Sequence, residues 1–169
     1  MRSISFNPAM LAAVRAGRKT VTRRRLPPDS PLQQEPARYG CVAVTAQGGV
    51  FEDRHTQPAT RLPPVPLPFG APGSLLHVPE DPLLLLKVVS VRAEPVRCLT
   101  EADAVAEGVY ARPAQGPPRW GGVEPDATRP GEFHWYDSPI EAFQGLLDSI
   151  YPTAWARNEW VWVVAFERA

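Results

Sequence analysis

The sequence contains few of the residues from which metal sites and disulfide frameworks are built. Its 169 residues include two widely separated cysteines, Cys41 and Cys98, and three isolated histidines, His55, His77 and His134. No two of them are spaced as ligands of one metal ion on a helix or turn, so we predict no metal site. P-loop, dinucleotide-binding and nucleophile-elbow motifs are also missing, and no cofactor is expected.

Long apolar runs are absent as well. No run is long enough to span a bilayer, and the N-terminus lacks the apolar core of a secretion signal. We therefore predict a cytoplasmic protein without a membrane partner, with both thiols buried or idle. The 21 prolines, about twice the usual share, are clustered. This clustering predicts a single domain over residues 1–169 with Pro-rich loops at about 26–38, 53–73 and 111–137.

Acidic residues are missing from the first 25 positions, which hold seven basic groups. The rest of the chain carries 18 − 7 = 11 basic and 18 acidic groups, so a net neutral protein has a local cationic patch. Such a patch indicates a site for an anion, and the alternative is a solvated N-terminal face. Lysine is scarce, with Lys19 and Lys87 beside sixteen arginines, which makes the lysine within the patch more noticeable.

Local signals predict three short helices and several strands. Helices are expected after Asn7-Pro8 with an end at Gly17, from Thr100 to Gly108, and after Ser138-Pro139. Strands are predicted where apolar and β-branched residues cluster, at Tyr39–Thr45, Ser74–Val78, Leu83–Val91 and Trp160–Phe166. The order of these elements favours an α+β fold with a curved sheet or β-barrel, flanked by about three short helices.

The segment Gly17–Arg25, GRKTVTRRR, is the strongest candidate for ligand contact. Lys19 and Thr22 would bring an amine and a hydroxyl together if the chain bends, since positions three apart on a strand face opposite sides. An amine beside a hydroxyl is a known route to an activated nucleophile, and burial with neighbouring arginines would lower the lysine pKa in that direction. The alternative is a basic helix exit in which Thr22 is only a turn residue.

The whole chain resembles ASCH-domain proteins of the PUA-like superfamily, including phage-associated members and bacterial acetylcytidine amidohydrolases. The resemblance lies in Phe6–Met10 and Gly17–Arg24, in Pro72-Gly73, in Leu99–Val109 and in Trp155–Phe166. It implies a PUA-like β-barrel with a cleft that receives RNA or a modified nucleoside. The oligomeric state is not predicted.

The resemblance also implies roles for individual residues. Lys19, Thr22 and Glu107 match the catalytic set of the amidohydrolases, with Thr22 as nucleophile, Lys19 as its base and Glu107 as a positioning or proton-transfer group. For Glu107 the alternative is an exposed acid at the end of a surface helix. Within the basic run itself, Arg23 and Arg24 are the candidates to contact an anion, with Arg18 and Arg25 more peripheral.

One departure from the family pattern affects the substrate cleft. Related proteins have an aromatic residue, valine, arginine and glutamate after the Pro-Gly turn, where this chain has His77-Val78-Pro79-Glu80. A changed cleft would alter specificity or bind without turnover. Two alternatives to deacylation therefore stay open, a metal-independent ribonuclease and a non-catalytic RNA-binding accessory protein.

The aromatic residues fall into two groups. Trp160 and Trp162 alternate on one strand and are predicted to lie in the core. Trp120, Trp135 and Tyr136 lie in a polar segment, where Trp135 and Tyr136 are candidates to stack on a base. The alternative is that they only fix the loop to the domain.

Overall fold

The computed structural model describes residues 1–169 and has an α+β fold. Its five α-helices are α1 (Pro8–Arg15), α2 (Pro31–Gln34), α3 (Glu101–Ala106), α4 (Pro139–Ile150) and α5 (Ala154–Arg157). Its eleven strands are β1 (Arg2–Ser3), β2 (Val21–Arg25), β3 (Tyr39–Thr45), β4 (Gly48–Asp53), β5 (Thr60–Arg61), β6 (Leu75–Val78), β7 (Asp81–Pro95), β8 (Tyr110–Ala114), β9 (Gly116–Pro125), β10 (Phe133–Tyr136) and β11 (Trp160–Arg168). No helix has the length and apolar character needed to cross a membrane.

The chain divides into two compact units. The first unit comprises residues 1–5, 22–96 and 157–169, and the second comprises residues 6–21 and 97–156. The candidate site residues are therefore distributed over both units, with Lys19 and Glu107 in the second and Thr22 in the first.

The first unit is built on a five-stranded sheet with the order β1-β6-β7-β11-β2. Strand β1 runs parallel to β6, and the β6–β7 and β7–β11 pairs are antiparallel. The β7–β11 ladder extends from the Trp160–Pro95 pair to the Arg168–Leu86 pair. Trp160 and Trp162 are buried, as predicted. A second, three-stranded sheet has the order β3-β4-β5.

The second unit packs helices on a three-stranded antiparallel sheet of order β10-β9-β8. Helix α4 contacts β9 and β10 and also α3, and α1 contacts β9. The apolar faces of these helices are buried, so the spacing of apolar residues in the sequence reports their packing. The buried residues include Met10, Leu11, Val14, Ala104, Val123, Phe143 and Leu147.

The three predicted helices are present, each with the cap that its sequence indicates. Asn7 accepts a hydrogen bond from the Met10 N–H at 2.8 Å, and Ser138 accepts one from Glu141. Thr100 and Asp103 form a reciprocal capping box. Side-chain acceptors thus satisfy N–H groups that the first helical turn leaves without partners. The signals are local, which is why they could be read from sequence.

Other expectations were wrong. Residues 111–137 were predicted to be a loop, but β9 and β10 and most of β8 lie there. Every residue of β8 is exposed, so it has no alternation of buried and exposed positions, and its proline suits an edge strand that needs few N–H donors. Helix α2 lies within the predicted loop 26–38, and it and α5 are too short to show periodicity. No sheet closes on itself into a barrel.

Candidate functional site

Two helix ends in the second unit position the lysine and the glutamate. Helix α1 ends with Gly17 at φ 74°, and the Gly17 and Arg18 N–H groups donate to the Val14 and Ala13 carbonyls. This is a Schellman motif, in which a left-handed glycine satisfies carbonyls at the helix end. Immediately beyond it, the Lys19 N–H also donates to the Ala13 carbonyl, at 3.1 Å.

Helix α3 ends in the same way. Gly108 has φ 109°, and the Gly108 and Val109 N–H groups donate to Val105 and Ala104 at 2.9 and 3.2 Å. Glu107 is the capping residue that directly precedes this glycine. The two ends are joined by the Thr20 N–H, which donates to the Ala106 carbonyl at 2.9 Å. The backbone motif at each helix end therefore sets the position of the Lys19 or Glu107 side chain.

Lys19 and Glu107 form a buried ion pair. The Lys19 Nζ lies 2.6 Å from Glu107 Oε2, and each side chain is 3% exposed. The Nζ also donates to the Val21 carbonyl at 2.8 Å and to the Glu107 carbonyl at 3.2 Å. Three oxygens thus match the three N–H donors of an ammonium group. One of them is a carbonyl at the negative end of α3, which adds favourable electrostatics.

The three hydrogen bonds of Lys19 limit the chemistry that the Lys19–Glu107 pair can perform. An ammonium group surrounded by acceptors is a donor, and it serves as a base only after its proton has moved away. The Glu107 carboxylate is the acceptor nearest to that proton. Two charges taken out of water together also form a structural element, since either one left alone would be strongly unfavourable.

The last four residues of the motif, Thr22 to Arg25, lie in the first unit, on β2. Thr22 and Arg23 are 4% and 5% exposed, so neither is a surface residue. Arg23 pairs with Glu94 at 2.9 Å, and Arg25 binds both carboxylate oxygens of Glu159 at 2.6 and 2.9 Å. These contacts bind Arg23 and Arg25 to acidic residues of the same unit.

Arg24 has a different environment from its neighbours. Its Nη2 donates to the Ser5 carbonyl at 2.9 Å, and its guanidinium lies 5.7 Å from the centre of the Phe69 ring. The Nε of Arg24 is buried and has no hydrogen-bond partner. Arg24 is half-buried, so part of its side chain remains accessible.

A second cluster, which we call the arginine–aromatic row, comprises Arg18, Tyr110, Trp135 and Arg112 of the second unit. The Arg18 guanidinium lies 4.7 Å from the centre of the Tyr110 ring, and that of Arg112 lies 4.2 Å from the Trp135 ring. The two rings meet edge to face, with centres 5.5 Å apart. Both arginines and Tyr110 are exposed, and Trp135 is half-exposed. The row is thus a continuous surface of two adjoining aromatic rings with an arginine at each end.

A groove of about 610 Å³ adjoins one end of this row. Its lining includes Arg112 and Trp135 together with Arg119, Arg129 and His134. Arg119 is bound to the protein, since it donates to the Trp135 carbonyl at 2.6 Å and pairs with Asp137. Asp126 and Glu132 also line the groove and offset part of its positive charge.

Tyr136 is not part of the row. Its hydroxyl donates to the Glu124 carboxylate, and burial together with that carboxylate raises the pKa of the tyrosine well above its usual value. The ring lies against Gly145 of α4, where a side chain would collide with it. This residue therefore contacts a different region of the unit from Trp135.

Tyr110 and Arg112 were missed in the sequence. Both lie on β8, which pairs with β9 at Tyr110–Gly121 and Arg112–Arg119. The one available signal was Gly116 between two segments that each contain arginine and an aromatic residue, which is consistent with a hairpin. No group of three or more His, Cys, Asp or Glu residues is placed to hold a metal ion.

No family model, curated protein or solved structure matches the chain. The family resemblance drawn from the sequence therefore stays a prediction. Functional inference depends on the residues and contacts described above.

Proposed function

We propose that the protein binds unpaired RNA or a nucleoside through the arginine–aromatic row, as an ASCH-type protein with a PUA-like fold. The observation that carries this proposal is the stacking of exposed Arg18 and Arg112 on Tyr110 and Trp135. Unpaired bases stack on aromatic rings and on guanidinium planes, and arginine also contacts phosphate. The row offers both types of contact on one exposed surface.

Magnitudes favour a binding function over a purely structural one. An exposed cation–aromatic contact stabilises a protein by only about 0.5–1 kcal/mol, whereas a stacked base contributes about 1–3 kcal/mol to binding. A structural function alone would be served better by burying these rings. Tyr110 instead remains 36% exposed, on a strand with no buried residue.

Fluorescence anisotropy with a labelled single-stranded RNA of about ten nucleotides tests the proposal, because such lengths suit one small binding surface. Arg112→Ala and Trp135→Leu should weaken binding by between about fivefold and about a hundredfold. Arg61→Ala removes the same charge from an exposed position on β5 and should leave the affinity within about twofold. Equal losses in Arg112→Ala and Arg61→Ala, with no loss in Trp135→Leu, would indicate general electrostatic attraction, and unchanged binding in Arg112→Ala and Trp135→Leu would reject the row.

The buried Lys19–Glu107 pair favours a second candidate, hydrolysis of an acyl amide on a modified cytidine. The sequence resemblance assigns the nucleophile to Thr22. Its hydroxyl oxygen would attack the acyl carbon, its proton would pass to the departing amine as the C–N bond breaks, and water would then release acetate from the threonine ester. Lys19 would first pass a proton to Glu107, then take the hydroxyl proton of Thr22 and deliver a proton to the departing amine, and Glu107 would finally return its proton to Lys19.

Release of acetate from acetylcytidine tests this candidate. Thr22→Val and Glu107→Gln should abolish turnover while Arg61→Ala retains it, with circular dichroism confirming that each variant is folded. RNA cleavage that persists in a chelator would favour the ribonuclease alternative. If neither reaction occurs and RNA binding is intact, the protein is a non-catalytic RNA-binding protein.

A further inference from the structure

The first unit contains a cavity whose lining includes none of the residues considered above for RNA binding. It has a volume of about 730 Å³, within the range of small-molecule sites. Its walls come from residues 35–41, from the C-terminal end of β7 and from the segment that leads into β11. All of these belong to one unit, so the cavity is a feature of that unit alone.

The arginines in the cavity wall differ in how firmly the protein holds them. Arg38 forms a two-pronged salt bridge with Asp53, at 3.0 and 2.7 Å. Arg157 donates to the Gln33 carbonyl at 2.6 Å. Arg54 has only a loose ion pair, 3.7 Å from Glu52, and its side chain is 59% exposed. Arg54 is therefore the cation in this wall that is best able to engage a ligand.

The Arg54 guanidinium can occupy its position because residue 40 is a glycine. It lies directly against Gly40 of β3, where a Cβ atom would overlap the guanidinium nitrogens and carbon. Covered in this way, Gly40 is buried although Arg54 itself is exposed. Any residue other than glycine would push the guanidinium out of this place.

The carboxylates that line the cavity leave Arg54 effective as a cation. Glu94 is already bound by Arg23 at 2.9 Å and by Arg92 at 3.3 Å. Glu35 lies 3.8 Å from Arg38 and is largely exposed to solvent, which screens its charge. His55 also lines the cavity and adds a donor beside Arg54.

Most of the remaining lining is apolar, with contributions from Tyr39, Ala93, Pro95 and Trp160, and Asn158 adds one polar side chain. A cavity whose wall is apolar on one part and offers one available arginine on another favours a ligand with an apolar body and one anionic group. We propose that this cavity binds a small aromatic anion, whose carboxylate or phosphate contacts Arg54 while its ring lies against Tyr39 and Pro95.

Three probes that share a ring test the proposal. Phenyl phosphate and benzoate carry an anionic group, and benzyl alcohol does not. A titration of the full chain, monitored by amide NMR, should show saturable shifts with at least one of the two anions and none with benzyl alcohol. The shifts should occur at Gly40, at Ala93 and at the residues on either side of Pro95. Which anion binds more tightly distinguishes a phosphate ligand from a carboxylate ligand.

Two variants and one control complete the experiment. Arg54→Ala should weaken binding by roughly tenfold, since a charge-assisted contact is lost, and Gly40→Ala should weaken it less, since the displaced guanidinium keeps its charge. Arg61→Ala, an exposed arginine outside the cavity, should bind as the unmodified protein does. Failure of both anions to bind at millimolar concentration, equal binding of benzyl alcohol, or full affinity in Arg54→Ala would overturn the proposal. None of these outcomes depends on RNA binding by the second unit.

Discussion

Replacing Lys19 with methionine should destabilise the protein strongly. The change keeps most of the side-chain volume but leaves the Glu107 carboxylate, 3% exposed, without its cation. Breaking a buried pair from one side costs about 3–5 kcal/mol, against a total stability of about 5–15 kcal/mol for a typical domain. The Val21 and Glu107 carbonyls also lose a donor. Urea unfolding followed by circular dichroism should therefore show a large fall in the free energy of unfolding.

The other lysine supplies a matched control. Lys87 pairs with Glu167 at 2.7 Å, but those side chains are 45% and 55% exposed. Lys87→Met should cost less than about 1 kcal/mol, because exposed pairs contribute little. Comparing the stability losses of Lys19→Met and Lys87→Met isolates the effect of burial, since the distance and the residue types are nearly the same in the two pairs.

A double-mutant cycle completes the test of the pair. In the Lys19→Met/Glu107→Met protein no buried charge is left alone, so its loss of stability should be smaller than the sum of the two single losses by about 2 kcal/mol or more. Additive losses, or a Lys19→Met cost as small as that of Lys87→Met, would refute the argument that the two charges depend on each other.

Three further outcomes are expected. The Arg38 side chain holds the pKa of Asp53 below its usual value. The difference in stability between the unmodified protein and Asp53→Asn should therefore be constant at neutral pH and shrink only below about pH 4. A difference that disappears by pH 6 would contradict this. Burial raises the pKa of the Cys41 thiol, so iodoacetamide followed by mass spectrometry should modify exposed Cys98 first; faster modification of Cys41 would be inconsistent with its burial. The buried Gln33 side chain accepts a hydrogen bond from the backbone N–H of Trp160 at 2.8 Å. Gln33→Met should therefore lower the free energy of unfolding in urea by about 1–3 kcal/mol. A change near zero would mean that this backbone N–H finds another partner.

Local signals allowed the helices to be predicted from sequence. The caps at Asn7, Thr100 and Ser138 and the glycine ends at positions 17 and 108 depend on residues within one or two turns. The long strand β7 was also predicted in part, because its apolar run is continuous. By contrast, the sheet of the second unit depends on pairing between strands without apolar alternation, and the sequence indicated a loop there.

In the candidate site, too, only the features that depend on nearby residues could be predicted from the sequence. The positions of Lys19 and Glu107 could be assigned only through the family resemblance, since 88 residues separate them and nothing local relates them. The basic run that includes Arg23 and Arg25 was predicted to form a site for an anion. Its acidic partners lie 71 and 134 residues away, and a local count of charges could not identify them.

The indole N–H signals of the tryptophans test the central claim of RNA binding by the arginine–aromatic row most directly. In a two-dimensional NMR titration with single-stranded RNA, ring stacking should shift the Trp135 indole signal with the same affinity as the anisotropy measurement. The signal of Trp162, 2% exposed in the core, should stay in place and serves as the internal control. Saturable RNA binding that leaves the Trp135 signal unmoved would contradict the proposal.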